Sequence, residues 1–199
     1  MCPAEIIHGD IKPQNVLIFE DNPGDYVAKM TDFSFSTVDI DDGLINLPFS
    51  TPWVHPEQHR NGCTFSLAAK MDAYSFGMLC FWIFLHDADD YPDLEMLKQE
   101  QKKHDMPGVA ARLTNSTATY GDQQKMFLFK IFGMTLNHDH ELRSSFDEIA
   151  SLLEEGLRPI SSQDSKEAPG VTSNVKIPAS SVVHANFQVI FSYILLISF

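Results

Sequence analysis

The sequence predicts an α+β fold that is mainly helical, with a small β-hairpin near its N-terminus. Short apolar runs rich in β-branched and aromatic residues come first along the chain, which is typical of strands. One long segment that is apolar on every side follows, and later segments space their apolar residues as amphipathic helices do. With 44% apolar residues among 199, the chain can bury a substantial core.

The predicted hairpin consists of residues 16–19 and 26–33, and a shorter strand-like run lies at residues 6–7. The connection EDNPGD contains Asn, Pro and Gly, which favour tight turns. Residues 34–57 show no sustained periodicity and contain three prolines, so we expect a long irregular loop there.

Residues 68–86, AAKMDAYSFGMLCFWIFLH, predict a helix that is apolar almost all round. Such a helix is either buried on every side or spans a membrane. Polar and small residues within it (Asp72, Ser75 and Gly77) favour burial in protein. Further helices are predicted from Pro92 to about residue 103 and over residues 121–136 and 144–155, the last stopped by a glycine.

The C-terminal part of the chain has a different composition. Residues 158–186 are rich in Ser, Pro, Val and Ala with little apolar periodicity, which predicts a disordered tail. Residues 187–199, FQVIFSYILLISF, form a short apolar segment. As a helix it reaches roughly 20 Å, against a hydrocarbon core of about 30 Å. A marginal membrane anchor and an exposed β-prone segment remain alternatives.

Charge and cysteine content exclude some classes of function. The net charge of −13 argues against binding nucleic acid or an acidic membrane surface. The acidic clusters at residues 39–42 and 86–95 are interpreted as solvated charge rather than as metal sites. Three cysteines without ligand spacing fit a reduced, intracellular and therefore cytoplasmic chain.

The most reactive segment is HGDIKPQN, residues 8–15, which we call the HGD loop. Asp10, Lys12 and Asn15 lie two and three positions apart, and Pro13 prevents a helix between them. A tight loop can point the three side chains to one side. A carboxylate that accepts a proton, an ammonium group and an amide oxygen suit phosphoryl transfer, which depends on positioning and charge neutralisation.

The HGD loop resembles the catalytic loop of eukaryotic protein kinases, with Asp, Lys and Asn in D-x-K-P-x-N order. The resemblance implies that Asp10 is the catalytic base and that Lys12 contacts a phosphate. It also implies that Asn15 is a magnesium ligand. Lysine at position 12 indicates serine or threonine as the acceptor.

Four further segments resemble kinase motifs in the same order. TDFSFS is similar to the D-F-G segment, which implies that Asp32 is the principal Mg²⁺ ligand. Residues 56–57 resemble the Pro-Glu that ends an activation segment. Asp72 in DAYSFG is similar to the acid that ties down the catalytic-loop backbone, and Arg143 to the arginine that pairs with the Glu57 position. Residues 1–157 are therefore predicted to form a partial kinase domain, the C-lobe.

One alternative and three departures accompany this resemblance. Aminoglycoside and choline phosphotransferases share the H-G-D pattern, but Lys12-Pro13 and DAYSFG favour a protein kinase. Gly9 replaces an arginine that binds phosphorylated activation loops. Ser34 replaces the glycine of D-F-G, and His55 replaces an alanine.

The resemblance implies ATP and Mg²⁺ as cofactors and a protein with a Ser or Thr acceptor as substrate. The kinase parts that hold the nucleotide do not precede the HGD loop in the sequence. We therefore expect a serine/threonine kinase fragment without detectable phosphotransfer by itself. The alternative is a non-catalytic binding fragment that engages a partner protein through an apolar helical face exposed at residues 71–85.

Overall fold

The computed structural model describes residues 6–22, 25–38, 43–55 and 62–157. The predicted tail at 158–186, the apolar segment at 187–199 and the Pro-Glu at 56–57 lie outside the described residues. Within them, the predicted α+β fold with small sheets and mostly helices is confirmed. The elements in chain order are β1 (Ile6–Ile7), β2 (Val16–Asn22), β3 (Asp25–Met30), β4 (Thr37–Val38), α1 (Phe65–Leu85), α2 (Leu94–Lys102), α3 (Met106–Ser116), α4 (Asp122–Thr135) and α5 (Phe146–Leu157).

Two small antiparallel sheets hold the HGD loop. β2 and β3 form the predicted hairpin, with Val16 opposite Met30. β1 pairs with β4, and Ile7 lies opposite Thr37. β1 ends just before the HGD loop, and β4 follows the Asp32 segment. Their pairing therefore brings the start of the HGD loop beside the end of the Asp32 segment.

Helix α1 is buried on nearly every side, as its lack of polar faces predicts. Its first turn is capped by Thr64, whose hydroxyl accepts the N–H of Leu67 at 3.4 Å. α1 packs against α3 and α4, and the rings of Phe81 and Phe132 meet edge to face at 6.2 Å. No helix among the described residues combines the length and hydropathy that a bilayer crossing requires.

The prediction that residues 71–85 present an exposed apolar face is wrong. All of these residues are buried or half-buried except Trp82, which is 37% exposed. α3 and α4 cover the surface that we expected to be bare. Exposed apolar side chains occur elsewhere in the fold, and those on β2 and just after β3 are Leu17, Ile18, Phe19, Phe33 and Phe35.

Helices α2, α4 and α5 lie within about two residues of their predicted bounds, but α3 was not predicted. Pro107 and Gly108 at its start are weak helix formers in general, although proline is tolerated in a first turn. The buried residues Met106, Val109, Ala110 and Leu113 show the i, i+3, i+4, i+7 spacing of a helix. The signal for α3 was therefore present in the sequence.

Candidate active site

The backbone of the HGD loop is fixed by Asp72, which lies in the middle of α1. Its carboxylate accepts the N–H of His8 at 2.7 Å and the N–H of Gly9 at 3.0 Å. The side chain is buried, and burial raises the pKa of Asp72 to about 7, while the two N–H groups act in the opposite direction. The tie between an acid in this helix and the loop backbone, which the resemblance implies, is thus present.

Gly9 has a local structural reason to be glycine. Its φ is +81°, in the left-handed region that side chains disfavour. A Cβ at this position would lie 2.8 Å from the carbonyl oxygen of Phe35. The arginine that many kinases carry here would therefore not fit this backbone.

His8 connects the HGD loop to the segment after β3. The N–H of Asp10 donates to Nδ1 of His8 at 3.2 Å, so Nε2 carries the hydrogen and donates to the carbonyl of Thr31 at 3.1 Å. Burial lowers the pKa of His8, and the bond to Thr31 opposes this. A neutral imidazole with a fixed tautomer therefore spans the two segments.

The structure brings Asp10, Lys12 and Asn15 together around one carboxylate. Oδ2 of Asp10 accepts from Nζ of Lys12 at 2.5 Å and from Nδ2 of Asn15 at 3.2 Å. The same amide donates to the carbonyl oxygen of Asp10 at 2.8 Å, within a 3₁₀ turn over Pro13–Asn15. Oδ1 of Asp10 is buried and has no hydrogen-bond partner among the described residues. One carboxylate oxygen is thus held in place and the other is available as an acceptor.

Asp32 lies next to this cluster because the N–H of Thr31 donates to the carbonyl of Asn15 at 2.9 Å. The carboxylate of Asp32 is bound within its own turn: Oδ1 accepts from the N–H of Ser34 at 3.4 Å and from the Ser34 hydroxyl. These two bonds, the hydroxyl first, lower the pKa of Asp32. Phe33, next in the chain, places its ring 5.1 Å from that of His8.

The donor set suits Mg²⁺ better than a transition metal. Among the described residues, no group of three or more His, Cys, Asp or Glu side chains is arranged to hold a metal ion. The predicted ligands Asn15 and Asp32 offer an amide and a carboxylate oxygen. Mg²⁺ is commonly held by one or two protein oxygens, with water and substrate phosphates completing its shell. The residues present therefore fit a magnesium–nucleotide site.

Ser50 is a site residue that the sequence did not single out as one. Its hydroxyl accepts from Nζ of Lys12 at 3.4 Å, so it adds a second contact to the lysine beside Asp10. The place of Ser50 in the irregular segment between β4 and α1 gave no periodic signal, because its contact with Lys12 depends on the fold.

Arg143 is fully enclosed after α4. Its guanidinium donates to the carbonyls of Lys70 at 3.0 Å, Asn137 at 2.7 Å and His138 at 2.9 Å. It also lies 5.0 Å from the centre of the Tyr74 ring. Its predicted partner, Glu57, lies outside the described residues. Arg143 thus links α1 to the turn before α5.

The segment that leads from the HGD loop region into α1 is held by polar contacts to α1 and α2. Nε2 of Gln101 donates to the carbonyl of Pro52 at 2.6 Å and to the hydroxyl of Tyr74 at 3.2 Å. The buried ring of His55 packs on Tyr74 at 4.8 Å and faces His138 at 5.4 Å. Burial, followed by the charge of Arg143 and by neighbouring histidines, lowers the pKa of His55 to about 2.

Comparison with known families identifies the chain. The family described as "Protein tyrosine and serine/threonine kinase" matches residues 2–153, about three quarters of the sequence. The chain belongs to this protein kinase family, which agrees with the order of motifs around Asp10, Asp32 and Asp72. No solved structure gives a significant match.

Both a tyrosine kinase and serine/threonine kinases are similar to the chain. A megakaryocyte-associated tyrosine-protein kinase from Rattus norvegicus is 29% identical over 92 residues, covering 46% of this chain and 18% of that protein. A G-type lectin S-receptor-like serine/threonine-protein kinase from Arabidopsis thaliana is 25% identical over 182 residues, 85% of this chain and 21% of that protein. A calcium and calcium/calmodulin-dependent serine/threonine-protein kinase from Lotus japonicus is 32% identical over 101 residues, 50% of this chain and 18% of that protein. The chain spans about a fifth of the length of these relatives.

Proposed function

We propose that this chain is the C-lobe of a serine/threonine protein kinase, which in its complete form transfers the γ-phosphoryl group of ATP to a Ser or Thr hydroxyl of a protein. The observation that carries this proposal is the cluster of Asp10, Lys12 and Asn15, whose backbone is fixed by Asp72. Such a rigid group of an acid, a cation and an amide is what positioning and charge neutralisation in phosphoryl transfer require.

Each residue has a separate role in this proposal. Oδ1 of Asp10, which is buried and has no partner in the described part of the chain, accepts the proton of the substrate hydroxyl. Lys12 offsets negative charge beside it, and Asn15 and Asp32 hold Mg²⁺. When bound, ATP would supply the phosphoryl group and Mg²⁺ would neutralise its charge. His8, kept neutral, maintains the spacing between the Asp10 and Asp32 segments.

Acceptor choice rests on the lysine at position 12. The curated relatives include both a tyrosine kinase and serine/threonine kinases, so similarity alone leaves this open. The resemblance of D-x-K-P-x-N to the serine/threonine pattern supports a Ser or Thr acceptor. The contact from Lys12 to Ser50 supports a fixed position for this lysine beside Asp10.

The isolated 199 residues are proposed to be inactive. The sequence contains no G-x-G-x-x-G segment, which in protein kinases covers the ATP phosphates. Without that contribution, Asn15 and Asp32 would have to retain nucleotide and metal alone. Mg²⁺ sites with so few protein ligands depend on substrate phosphates that are held elsewhere as well.

The test compares two forms of the protein with radiolabelled ATP and peptides that offer Ser, Thr or Tyr acceptors. One form is the 199-residue chain, and the other adds whatever in-frame coding sequence lies upstream in the gene. We expect Mg²⁺-dependent transfer to Ser or Thr by the longer form alone. Asp10→Asn is expected to lower its kcat by about 100-fold or more. Equal turnover by the longer form and its Asp10→Asn variant contradicts the catalytic assignment.

A non-catalytic binding role is a second candidate, and the exposed side chains of β2 favour it. Leu17, Ile18 and Phe19 are 45%, 50% and 46% exposed. Leu17 and Phe19 share one face of β2, since successive strand residues alternate between faces, and exposed apolar residues that share a face commonly mark an interaction surface. If the longer form also lacks turnover, this candidate predicts that replacing Leu17 and Phe19 by Ser removes binding to a partner without unfolding the chain.

A further inference from the structure

The carboxylate of Asp32 is engaged by a side chain that the kinase pattern lacks. Residue 34 stands where that pattern has glycine, and here it is serine. The Ser34 hydroxyl and the Ser34 N–H both donate to Oδ1 of Asp32, which begins the 3₁₀ turn Phe33–Phe35. Asp32 itself has a φ of +61°, so the local backbone turns its carboxylate toward residue 34.

We infer that Ser34 is a positioning residue that weakens cation binding by Asp32, because its hydroxyl occupies Oδ1 and leaves Oδ2 as the metal ligand. This inference rests on the proposed function, in which Asp32 holds Mg²⁺. A hydroxyl that donates to a carboxylate oxygen lowers the charge available to a cation at that oxygen. A cation that contacts both oxygens has to displace the hydroxyl first.

The size of the effect follows from the exposure of the turn. Both Asp32 and Ser34 are exposed, so water can replace the hydroxyl when a cation binds. A hydrogen bond of this kind contributes a modest net amount in water. We therefore expect its removal to tighten cation binding by about 3- to 10-fold.

Three substitutions of Ser34 distinguish the effect of its hydroxyl from the effect of backbone freedom at this position. Ser34→Ala removes the hydroxyl and keeps Cβ, whereas Ser34→Gly removes both and frees the backbone. Ser34→Thr keeps the hydroxyl and is the matched control. Asp32→Asn removes the carboxylate charge and reports whether the cation binds at this position at all.

The experiment titrates Mn²⁺ into two ¹⁵N-labelled proteins, the 199-residue chain and the longer form that adds the upstream coding sequence, each without and with ATP. It follows paramagnetic broadening of the amides at residues 15 and 31–34. We expect Ser34→Ala and Ser34→Gly to lower the apparent Kd by about 3- to 10-fold, and Ser34→Thr to match the wild type. Mg²⁺ is expected to reverse the broadening, since both cations prefer oxygen ligands.

The outcomes distinguish this inference from the function on which it rests. Binding by Ser34→Ala that is equal to or weaker than wild type overturns the inference and leaves the metal role of Asp32 intact. Tighter binding by Ser34→Gly alone also overturns it, because the cause is then the backbone. Broadening that persists in Asp32→Asn overturns the proposed metal role of Asp32 itself. Broadening that is absent from these amides in every variant of the longer form with ATP overturns it as well.

Discussion

The carboxylate of Asp72 accepts the backbone N–H of His8 at 2.7 Å, across 64 positions of sequence. This bond joins the most buried helix of the fold to the first residue of the HGD loop. Because α1 is enclosed by other helices, a loop that is hydrogen-bonded to it is restrained in position. The position of Asp10 is therefore set by the core rather than by the loop sequence alone.

Replacing Asp72 by Asn is expected to loosen the HGD loop. An amide offers one acceptor oxygen where the carboxylate offers two, and its NH₂ group faces a backbone N–H. With the amide oxygen in the place of Oδ2, the N–H of His8 keeps its partner, and the N–H of Gly9 keeps only its longer contact of 3.3 Å while it faces the NH₂ group. The lost 3.0 Å bond is expected to cost about 0.5–1.5 kcal/mol in the free energy of unfolding. Urea denaturation measures this loss, and hydrogen exchange at the amides of His8 and Gly9 locates it.

Asp87→Asn is the matched control for this substitution. The Asp87 side chain is 91% exposed and its contact is an exposed ion pair with His86. Its removal is expected to change the free energy of unfolding by less than about 0.5 kcal/mol. If both variants lose the same stability, the tie from Asp72 to the loop contributes nothing specific.

Acid is expected to destabilise the fold through His55. Burial holds the pKa of His55 at about 2 in the folded chain, against 6.5 when it is free. The stability that neutral His55 contributes is complete above pH 6.5 and is lost as pH falls from there toward 2. The slope is about 1.4 kcal/mol per pH unit, so about 2 kcal/mol is lost between about pH 6.5 and pH 5.

The His55 effect has to be read as a difference between variants. The raised pKa of Asp72 gives a slope of opposite sign below about pH 7, because folded Asp72 binds the proton more tightly. His55→Gln is therefore compared with wild type by urea denaturation at about pH 7 and about pH 5. We expect the variant to lose less stability on acidification, while His86→Gln, at an exposed site, retains the wild-type loss. An unchanged pH slope in His55→Gln refutes the assignment.

Sequence reasoning succeeded where the relevant residues are close along the chain. Asp10, Lys12 and Asn15 lie within six positions, so their grouping follows from a tight loop that Pro13 enforces. The hairpin and α1 follow from turn residues and from a long apolar run. Asp72 required the family resemblance, because nothing local indicates that it reaches His8.

What sequence reasoning missed depends on the packing of distant segments. The contact of Ser50 with Lys12 joins residues 38 positions apart. The prediction that α1 is exposed was wrong because α3, which covers it, was not predicted. α3 begins with Pro107 and Gly108, which are weak helix formers. Gly9 appeared as the loss of a functional arginine, but its φ of +81° shows a backbone requirement that composition does not reveal.

Gly77 is expected to be essential for the packing of α1 on α4. A Cβ there would lie 2.6 Å from Cβ of Thr135 and would also meet the Thr135 hydroxyl. Both residues are buried, so Gly77→Ala is expected to lower the free energy of unfolding by about 1–3 kcal/mol. Gly133→Ala in α4 is the control, since among the described residues no atom apart from its chain neighbours and the backbone of its own helix lies within 4 Å of the added Cβ. It should stabilise the chain by up to about 1 kcal/mol, and thermal unfolding that ranks the two variants in the reverse order contradicts this packing.

Asn15 and Lys12 are expected to differ in their contributions to stability. Asn15 is buried and its amide satisfies the carbonyl of Asp10, so Asn15→Ala leaves that carbonyl unpaired and costs about 1–3 kcal/mol. The Lys12 side chain is 23% exposed and pairs with a carboxylate that keeps its bond from Asn15. Because the Asp10 side chain is only 3% exposed, Lys12→Met leaves a buried carboxylate without its cation. It is expected to cost more than Asn15→Ala, about 3–5 kcal/mol in the free energy of unfolding. Equal losses in urea denaturation, or a larger loss in Asn15→Ala, would contradict this order.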